Sequence, residues 1–209
     1  VLNHHFVIIS GNIGVGKSSL TGQLAARLKW QPFFEAFDTN PYLADFYEDM
    51  KRWSFHSQLF FLSQRLKHHH NLVQYPGDVV QDRSVYEDAE IFARNAALQG
   101  NMSERDYRCY QDLYEGIRAF LPAPTLVVYL HASVGTLAER IAMRGRPYER
   151  QISIDYLSQL TQLYEEWAQN WSLCPMLRIA AGDYDFVHSE ADLKQVIDLI
   201  LAALPNRLL

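Results

Sequence analysis

The sequence predicts an α/β fold, a central parallel β-sheet of about five strands flanked by helices, on three observations. Short apolar runs of strand length alternate with longer stretches of helical spacing. A glycine-rich loop sits between the first such run and the first such helix. Late in the chain an arginine-rich segment containing Gly and Pro has the composition of a lid. With 209 residues, 48% of them hydrophobic, the chain can bury one full core. No repeat, low-complexity tract or linker divides it, so residues 1–209 are expected to form a single domain.

Phe6-Val7-Ile8-Ile9 reads as a buried first strand and residues 20–28 as the first helix. Between them Gly11, Asn12, Ile13, Gly14, Val15, Gly16, Lys17, Ser18 and Ser19 match the phosphate-loop (P-loop) pattern G-x-x-x-x-G-K-[ST]. The glycines let the backbone turn sharply and aim several N–H groups at one anion, and the helix N-terminus adds its partial positive charge. Lys17 is placed to reach the outer phosphates of a triphosphate such as ATP, and the Ser18 hydroxyl to ligate the Mg²⁺ that accompanies them. The loop alone leaves the phosphoryl acceptor open.

Residues 31–37 read as a short second strand near whose end stands Glu35. Ligands of an open parallel sheet bind beyond the carboxyl ends of its strands, so Glu35 is expected to face the crevice of the phosphate loop. There it is a candidate base for a hydroxyl acceptor, or else a solvated loop glutamate. Asn40-Pro41-Tyr42-Leu43 opens a helix in which Leu43, Phe46 and Tyr47 share a face, and a second helix runs over 55–75. On it Gln58, Phe61, Leu62 and Arg65 fall on one stripe, so an amide and a guanidinium stand among apolar side chains and need partners, either a nucleobase or each other. His68-His69-His70 cannot converge on one ion from consecutive helical positions and is read as a solvated face.

A third strand, Asp78-Val79-Val80-Gln81, ends in Asp82-Arg83-Ser84. A carboxylate there can reach Mg²⁺, and Arg83 can stabilise charge on a phosphoryl group. Asp88 and Phe92 follow four residues apart, suited to hydrogen-bond and stack a base, with a plain core role open for Phe92. Residues 103–120 form a long helix with Cys109 and Tyr110 turned inward, 125–131 a central strand, and 135–142 a returning helix. Arg140, Arg144, Arg146 and Arg150 then crowd eleven positions of an otherwise acidic chain; they repel one another unless an anion arrives, which suits a lid over phosphates. A helix over 153–171, a strand over 176–180 and a helix over 189–204 complete the chain. Between the last two, Asp183, Tyr184, Asp185 and Phe186 are candidate contacts for the donor adenine.

Net charge is −5, which disfavours a nucleic-acid surface. The two cysteines, Cys109 and Cys174, fit neither a disulfide framework nor a metal site and suit a cytoplasmic protein. No run is long and apolar enough for a membrane span. The start at Val1-Leu2-Asn3 does not resemble a signal peptide, and the missing initiator Met points to a processed or trimmed start.

Taken with Glu35, these motifs resemble the deoxynucleoside kinase family over nearly the whole length: Gly11 to Ser18; Tyr47, Trp53-Ser54-Phe55 and Gln58; Asp82-Arg83-Ser84-Val85-Tyr86 with Asp88 and Ile91-Phe92-Ala93; and Arg144-Gly145-Arg146 with Glu149. The resemblance implies a P-loop kinase fold with an arginine-rich lid, and transfer of phosphoryl from ATP·Mg²⁺ to the 5′-hydroxyl of a deoxynucleoside. It implies that Glu35, Arg83 and Lys17 are catalytic, and that Gln58, Arg65 and Asp88 read the base on which Phe92 stacks. By the same likeness Tyr47 and Glu149 hold the sugar beside Phe46, Arg140, Arg144 and Arg146 clamp the donor, and Ser18 and Asp82 serve the metal. Asp82, where the animal enzymes carry glutamate, and Asn40-Pro41-Tyr42-Leu43 look bacterial, which favours deoxyadenosine or deoxyguanosine, with deoxycytidine as a further candidate. The family also implies a homodimer through helices near Phe61 and Tyr114. Two alternatives remain: a nucleoside monophosphate kinase of thymidylate kinase type, and a non-catalytic nucleotide-binding subunit.

Overall fold

The structure, a computed structural model, describes residues 4–35 and 39–205. Five strands, β1 (Phe6–Gly11), β2 (Gln31–Phe33), β3 (Val79–Asp82), β4 (Leu126–His131) and β5 (Met176–Ala180), form one sheet in the order β2-β3-β1-β4-β5. Every pair is parallel. A parallel sheet is covered on both faces, so its central strands are apolar without alternation, and β1 and β3 are buried at every position. Val7 stands level with Val80 on one side and Leu126 on the other. All five strands run the same way, so Gly11, Asp82 and the chain beyond Phe33 leave the sheet at one edge.

Helices α1 (Lys17–Leu28), α2 (Leu43–Glu48), α3 (Met50–Gln74), α4 (Val85–Glu87), α5 (Arg94–Leu98), α6 (Glu104–Arg118), α7 (Val134–Arg144), α8 (Ile154–Asn170) and α9 (Glu190–Ala203) flank the sheet. A π-helical segment, Asp88–Ala93, joins α4 to α5, and a 3₁₀ turn, Pro147–Gln151, joins α7 to α8. Serines 103, 133, 153 and 189 cap α6, α7, α8 and α9, each side chain accepting a backbone N–H of the first turn. Each cap stabilises its helix by about 1 kcal/mol. Among the described residues no helix is long and apolar enough to cross a membrane.

The structure differs from the sequence expectations at several points. Strand pairing in β2 ends at Phe33, so Glu35 lies on the segment leaving the sheet; residues 36–38 of the expected strand fall outside the described residues. Helix α3 begins at Met50 rather than 55, because the Asp49 carboxylate caps it by accepting the Arg52 N–H. On α6 Tyr110 is buried but Cys109 is exposed, since neighbouring helical positions diverge by about 100°. The three histidines are not a uniformly solvated face. His68 packs beside Phe33 and His69 meets the Phe6 ring edge-on at 6.1 Å; only His70 stays out.

The His69 Nε2 atom is buried without a hydrogen-bond partner among the described residues, and burial pushes its pKa from 6.5 down to about 4. The folded chain therefore binds fewer protons here than the unfolded chain between those values. The stabilisation is full above pH 6.5 and is lost as pH falls towards 4. His69→Phe, which keeps the edge-on ring contact, is expected to flatten the loss of denaturation midpoint between pH 7 and pH 5; an unchanged slope would count against this origin.

Candidate active site

The phosphate loop takes its shape from backbone geometry that side chains oppose. Gly11 has φ 141°, and a Cβ there would lie 2.4 Å from the Leu130 carbonyl oxygen. Gly16, at φ 109°, opens α1, and the Phe186 ring occupies the space a Cβ would need. The Asn12 amide ties the loop to α8, donating to the Leu157 carbonyl at 3.0 Å and to Thr161 Oγ1 at 2.8 Å, while its own oxygen accepts the Ile13 N–H at 2.7 Å. Lys17 Nζ donates to the Asn12 carbonyl at 3.0 Å. Burial, reinforced by the charge of Arg83, lowers the Lys17 pKa to about 8.

At the ends of the neighbouring strands four charged side chains form a chain. Glu35 accepts from Arg65 Nη2 through Oε1 and from Arg83 Nε through Oε2, each at 2.9 Å. Arg65 Nε also donates to Asp88 Oδ2 at 2.9 Å. Burial pushes the Glu35 carboxyl up, but Arg83, Arg65 and Lys17 together outweigh it and hold the group below the usual carboxylate range. For Asp88 the balance is reversed: burial dominates over Arg65 and raises the pKa to about 6.

Arg83 adopts φ 63°, in the left-handed region, a conformation that costs a non-glycine residue on the order of 1–3 kcal/mol. Several contacts hold it there. Its N–H donates to the Ile9 carbonyl at 3.0 Å, its Nη1 to Tyr164 Oη at 3.1 Å, and its guanidinium lies 4.2 Å from the centre of the Phe92 ring.

Glu35, Arg83, Asp88 and Phe92 border one hollow. Ile13, Gly14, Lys17 and Ser18 form its phosphate-loop side, with Glu35 and Arg83 beside them. Phe46, Tyr47, Gln58, Asp88 and Phe92 line it too, as do Arg144, Arg146 and Glu149. Arg65 lies behind Glu35 and Asp88, bracing both rather than lining the space. Gln58 Oε1 is buried and unpartnered among the described residues, an acceptor awaiting a donor.

The remaining candidates sit outside the hollow. Gly11, Asn12, Val15, Gly16 and Ser19 make up the body of the loop and its helix. Arg140 donates to the Val15 carbonyl at 3.0 Å and to that of Ala181 at 2.9 Å, gripping the loop from outside. Asp183 and Asp185 are exposed and Tyr184 is half-buried. Asp185 accepts the His188 N–H at 3.0 Å, and the Phe186 ring lies against Gly16 of the phosphate loop.

Asp82 Oδ2 accepts from the Ser18 hydroxyl at 2.5 Å, whereas Oδ1 is buried with no partner among the described residues. Burial, against the pull of Lys17, raises the pKa of this carboxyl. A hydroxyl and a carboxylate with a spare buried oxygen at a strand end are hard donors, and they fit Mg²⁺.

The lid arginines do not simply repel. Glu149, itself buried, accepts from Arg144 Nε at 3.0 Å and Nη2 at 2.7 Å, and Arg146 Nη1 lies 3.6 Å away. Next to it Tyr148 stacks on Tyr47, the rings 6.3 Å apart and inclined by 12°. Sequence reasoning missed Tyr148 and Tyr156, which line the hollow, and Glu87 and Tyr164, which stand behind Arg83. Only Glu87 carried a readable signal, the Ser84-x-x-Glu87 capping spacing.

Comparison with known proteins follows the same lines. The chain is 38% identical over 200 residues to the deoxyadenosine/deoxycytidine kinase of Bacillus subtilis (strain 168), covering 95% of this chain and 92% of that one. It is 38% identical over 205 residues to a deoxyguanosine kinase of Lactobacillus acidophilus, covering 93% and 89%. Among solved structures, deoxyadenosine kinase from M. mycoides with bound dATP superposes with a TM-score of 0.81 at 26% identity, over 95% of this chain and 100% of that one. The same enzyme with dCMP and dCDP bound gives 0.84 at 28% identity, over 94% and 99%. The family model for deoxynucleoside kinase matches residues 7–204, and with phosphate loop, acidic side chain and lid arginines gathered on one hollow, the chain belongs to the deoxynucleoside kinase family.

Proposed function

We propose that the chain transfers the γ-phosphoryl group of ATP·Mg²⁺ to the 5′-hydroxyl of a purine deoxynucleoside, with the hollow as its active site. The observation that carries the reading is Glu35, an ionised carboxylate fixed between two guanidiniums and sharing one hollow with Lys17. A hydroxyl approaching from the hollow meets an acceptor for its proton. An acceptor already bearing phosphate, as in a monophosphate kinase, would meet a negative charge instead. The intact set of Lys17, Glu35, Asp82 and Arg83 likewise favours a catalyst over a non-catalytic binding subunit.

Two arginines make Glu35 a weak base. Phosphoryl transfer tolerates this, because its loose transition state is served by alignment and charge stabilisation more than by proton removal. Glu35 orients the 5′-hydroxyl and takes its proton. Lys17 and the Nη2 edge of Arg83 face charge on the transferring group, since Nε and Nη1 of Arg83 are already committed to Glu35 and Tyr164. Arg144 and Arg146 border the hollow beside Glu149, where their guanidiniums can meet the donor phosphates. Ser18 and Asp82 would hold Mg²⁺, which when bound neutralises phosphate charge.

At the other end Phe92 offers a face for the base, and Asp88 and Gln58 offer acceptors. Deoxyadenosine and deoxyguanosine are the favoured acceptors, in line with the names of the relatives. Deoxycytidine is a second reading: the unpartnered Gln58 Oε1 and the accept-only Asp88 both call for a donor, and cytosine presents an exocyclic amine as adenine does. Tyr47, stacked on Tyr148, narrows the sugar end against a 2′-hydroxyl. In the cell we read the chain as a cytoplasmic homodimer acting in nucleotide salvage, without nucleic-acid or membrane partners.

Turnover of the natural deoxynucleosides and ribonucleosides with ATP·Mg²⁺ tests the reading. Purine deoxynucleosides should lead, deoxycytidine should follow and ribonucleosides should trail; preference for a monophosphate acceptor would refute it. Glu35→Gln is expected to bind nucleoside but lose about 100-fold or more in kcat. A near-parental rate would remove Glu35 from the role of base. Lys17 titrates at about 8 in the free protein. Its positive charge is present below that value and is lost above it, so kcat/KM for ATP should fall as pH rises through about 8, and a flat profile up to pH ~10 would contradict this.

A further inference from the structure

The carboxylate of Glu87 is one of the most enclosed charged groups in the protein, with no exposed surface, and it lies outside the hollow. Among the described residues it has no ion-pair partner within contact. Its Oε2 accepts the N–H and the hydroxyl of Ser84, each at 2.9 Å. Its Oε1 accepts the Gly11 N–H at 3.3 Å and the Tyr164 hydroxyl at 3.0 Å. The same Tyr164 oxygen accepts from Arg83 Nη1 at 3.1 Å. One buried carboxylate thus links the first residue of the phosphate loop, the turn that follows Arg83, and, through a single phenol, the Arg83 guanidinium.

A helix cap alone does not account for this arrangement. Capping requires only that the Glu87 carboxylate accept the Ser84 N–H while Ser84 Oγ accepts the Glu87 N–H, and an exposed glutamate does this at no desolvation cost. Placing the charge in the interior is expensive unless its field is used. The cation nearest in the network is Arg83, one hydroxyl away. Burial keeps the Tyr164 phenol protonated and so able to donate to Glu87 while accepting from Arg83. The Tyr164 ring is itself fixed, stacked on Tyr129 at 5.9 Å and met by Phe92 at 6.3 Å, so its hydroxyl has little freedom.

We infer that Glu87 and Tyr164 are positioning residues: together they hold Arg83 in its left-handed conformation, turned so that one edge meets Glu35 and another is left for the phosphoryl group, and they lock that arrangement to the start of the phosphate loop. The inference rests on the proposed role of Arg83 at the phosphoryl group. It assigns a part to two residues that do not line the hollow. Their effect belongs in turnover, not in binding, because Tyr47, Gln58, Asp88 and Phe92, the side chains offered to the nucleoside, stay on the hollow while only Arg83 is released.

Tyr164→Phe removes the hydroxyl and keeps the ring. Without that anchor Arg83 is no longer pinned against Glu35, whose carboxyl is pushed up by burial but held down by Arg83, Arg65 on α3 and Lys17 on α1; Asp82, Asp88 and the Tyr47 phenol also feel its charge, which raises their own pKa values. Weakening the Arg83 contribution raises the Glu35 pKa. Steady-state kinetics with ATP·Mg²⁺ and the best deoxynucleoside should show kcat lowered about tenfold or more, both KM values within about twofold of the parent, and the acidic limb of the kcat profile displaced to higher pH. Glu87→Gln, which sets an amide N–H against the donors now facing Glu87, should give the same split. A kcat loss smaller than about tenfold in Tyr164→Phe, or an acidic limb that stays in place in both variants, overturns the inference. Arg83→Lys is the control. If it retains parental kcat, the role of Arg83 itself fails; if it loses turnover while Tyr164→Phe does not, the inference alone fails.

Discussion

The structure turns on a carboxylate held by two guanidiniums. Glu35 leaves the sheet edge after β2, Arg65 comes from α3, and Arg83 follows β3; Asp88 closes the series from the π-helical segment. None of these charges would be stable in the interior alone, since each loses its hydration on burial. Joined by hydrogen bonds of 2.9 Å, they stabilise one another and fix four elements relative to each other. The same arrangement sets Glu35 ionised and Asp88 nearer neutrality. Two carboxylates of like chemistry so acquire different characters from their surroundings alone.

The sheet makes this cluster possible. Because β1 lies between β3 and β4, the loop after β1 and the acid-arginine pair after β3 are immediate neighbours at one edge. The phosphate loop, the Ser18 and Asp82 oxygens and the Glu35 carboxylate thereby occupy adjoining ground without any one segment having to supply them all. The helices then close the hollow from α3 and the π-helical segment, and Arg144, Arg146 and Glu149 close it from the arginine-rich segment.

Much of this was legible in the residues. The phosphate loop, the strand-end acids and the apolar strand runs are local patterns, each set by a few neighbouring positions, and they fall where expected. The hollow was legible as a list of side chains but not as a network. That Arg65 would brace Glu35 as well as Asp88 depends on the distance between α3 and the edge of β2, which no spacing encodes. Tyr164 carried no signal because a tyrosine on an amphipathic helix reads as core. Asp183 and Asp185 are offered as donor contacts by the place of their loop between β5 and α9, which carries no information about the reach of their side chains; both are exposed and lie outside the lining of the hollow. His68 and His69 escaped for the opposite reason: polar residues in a row read as solvent-facing, yet two aromatic rings of the sheet layer shelter them.

The central position of β1 has a further consequence, for biosynthesis. Its first residue donates its N–H to Thr125, 119 positions later, and Gly11 sits against the carbonyl of Leu130. A nascent chain that has released only its amino-terminal half therefore lacks the strand that finishes one wall of the nucleotide cradle. The glycine loop is thus synthesised long before the partners that shape it, first β4 and then α8, whose Leu157 and Thr161 hold Asn12.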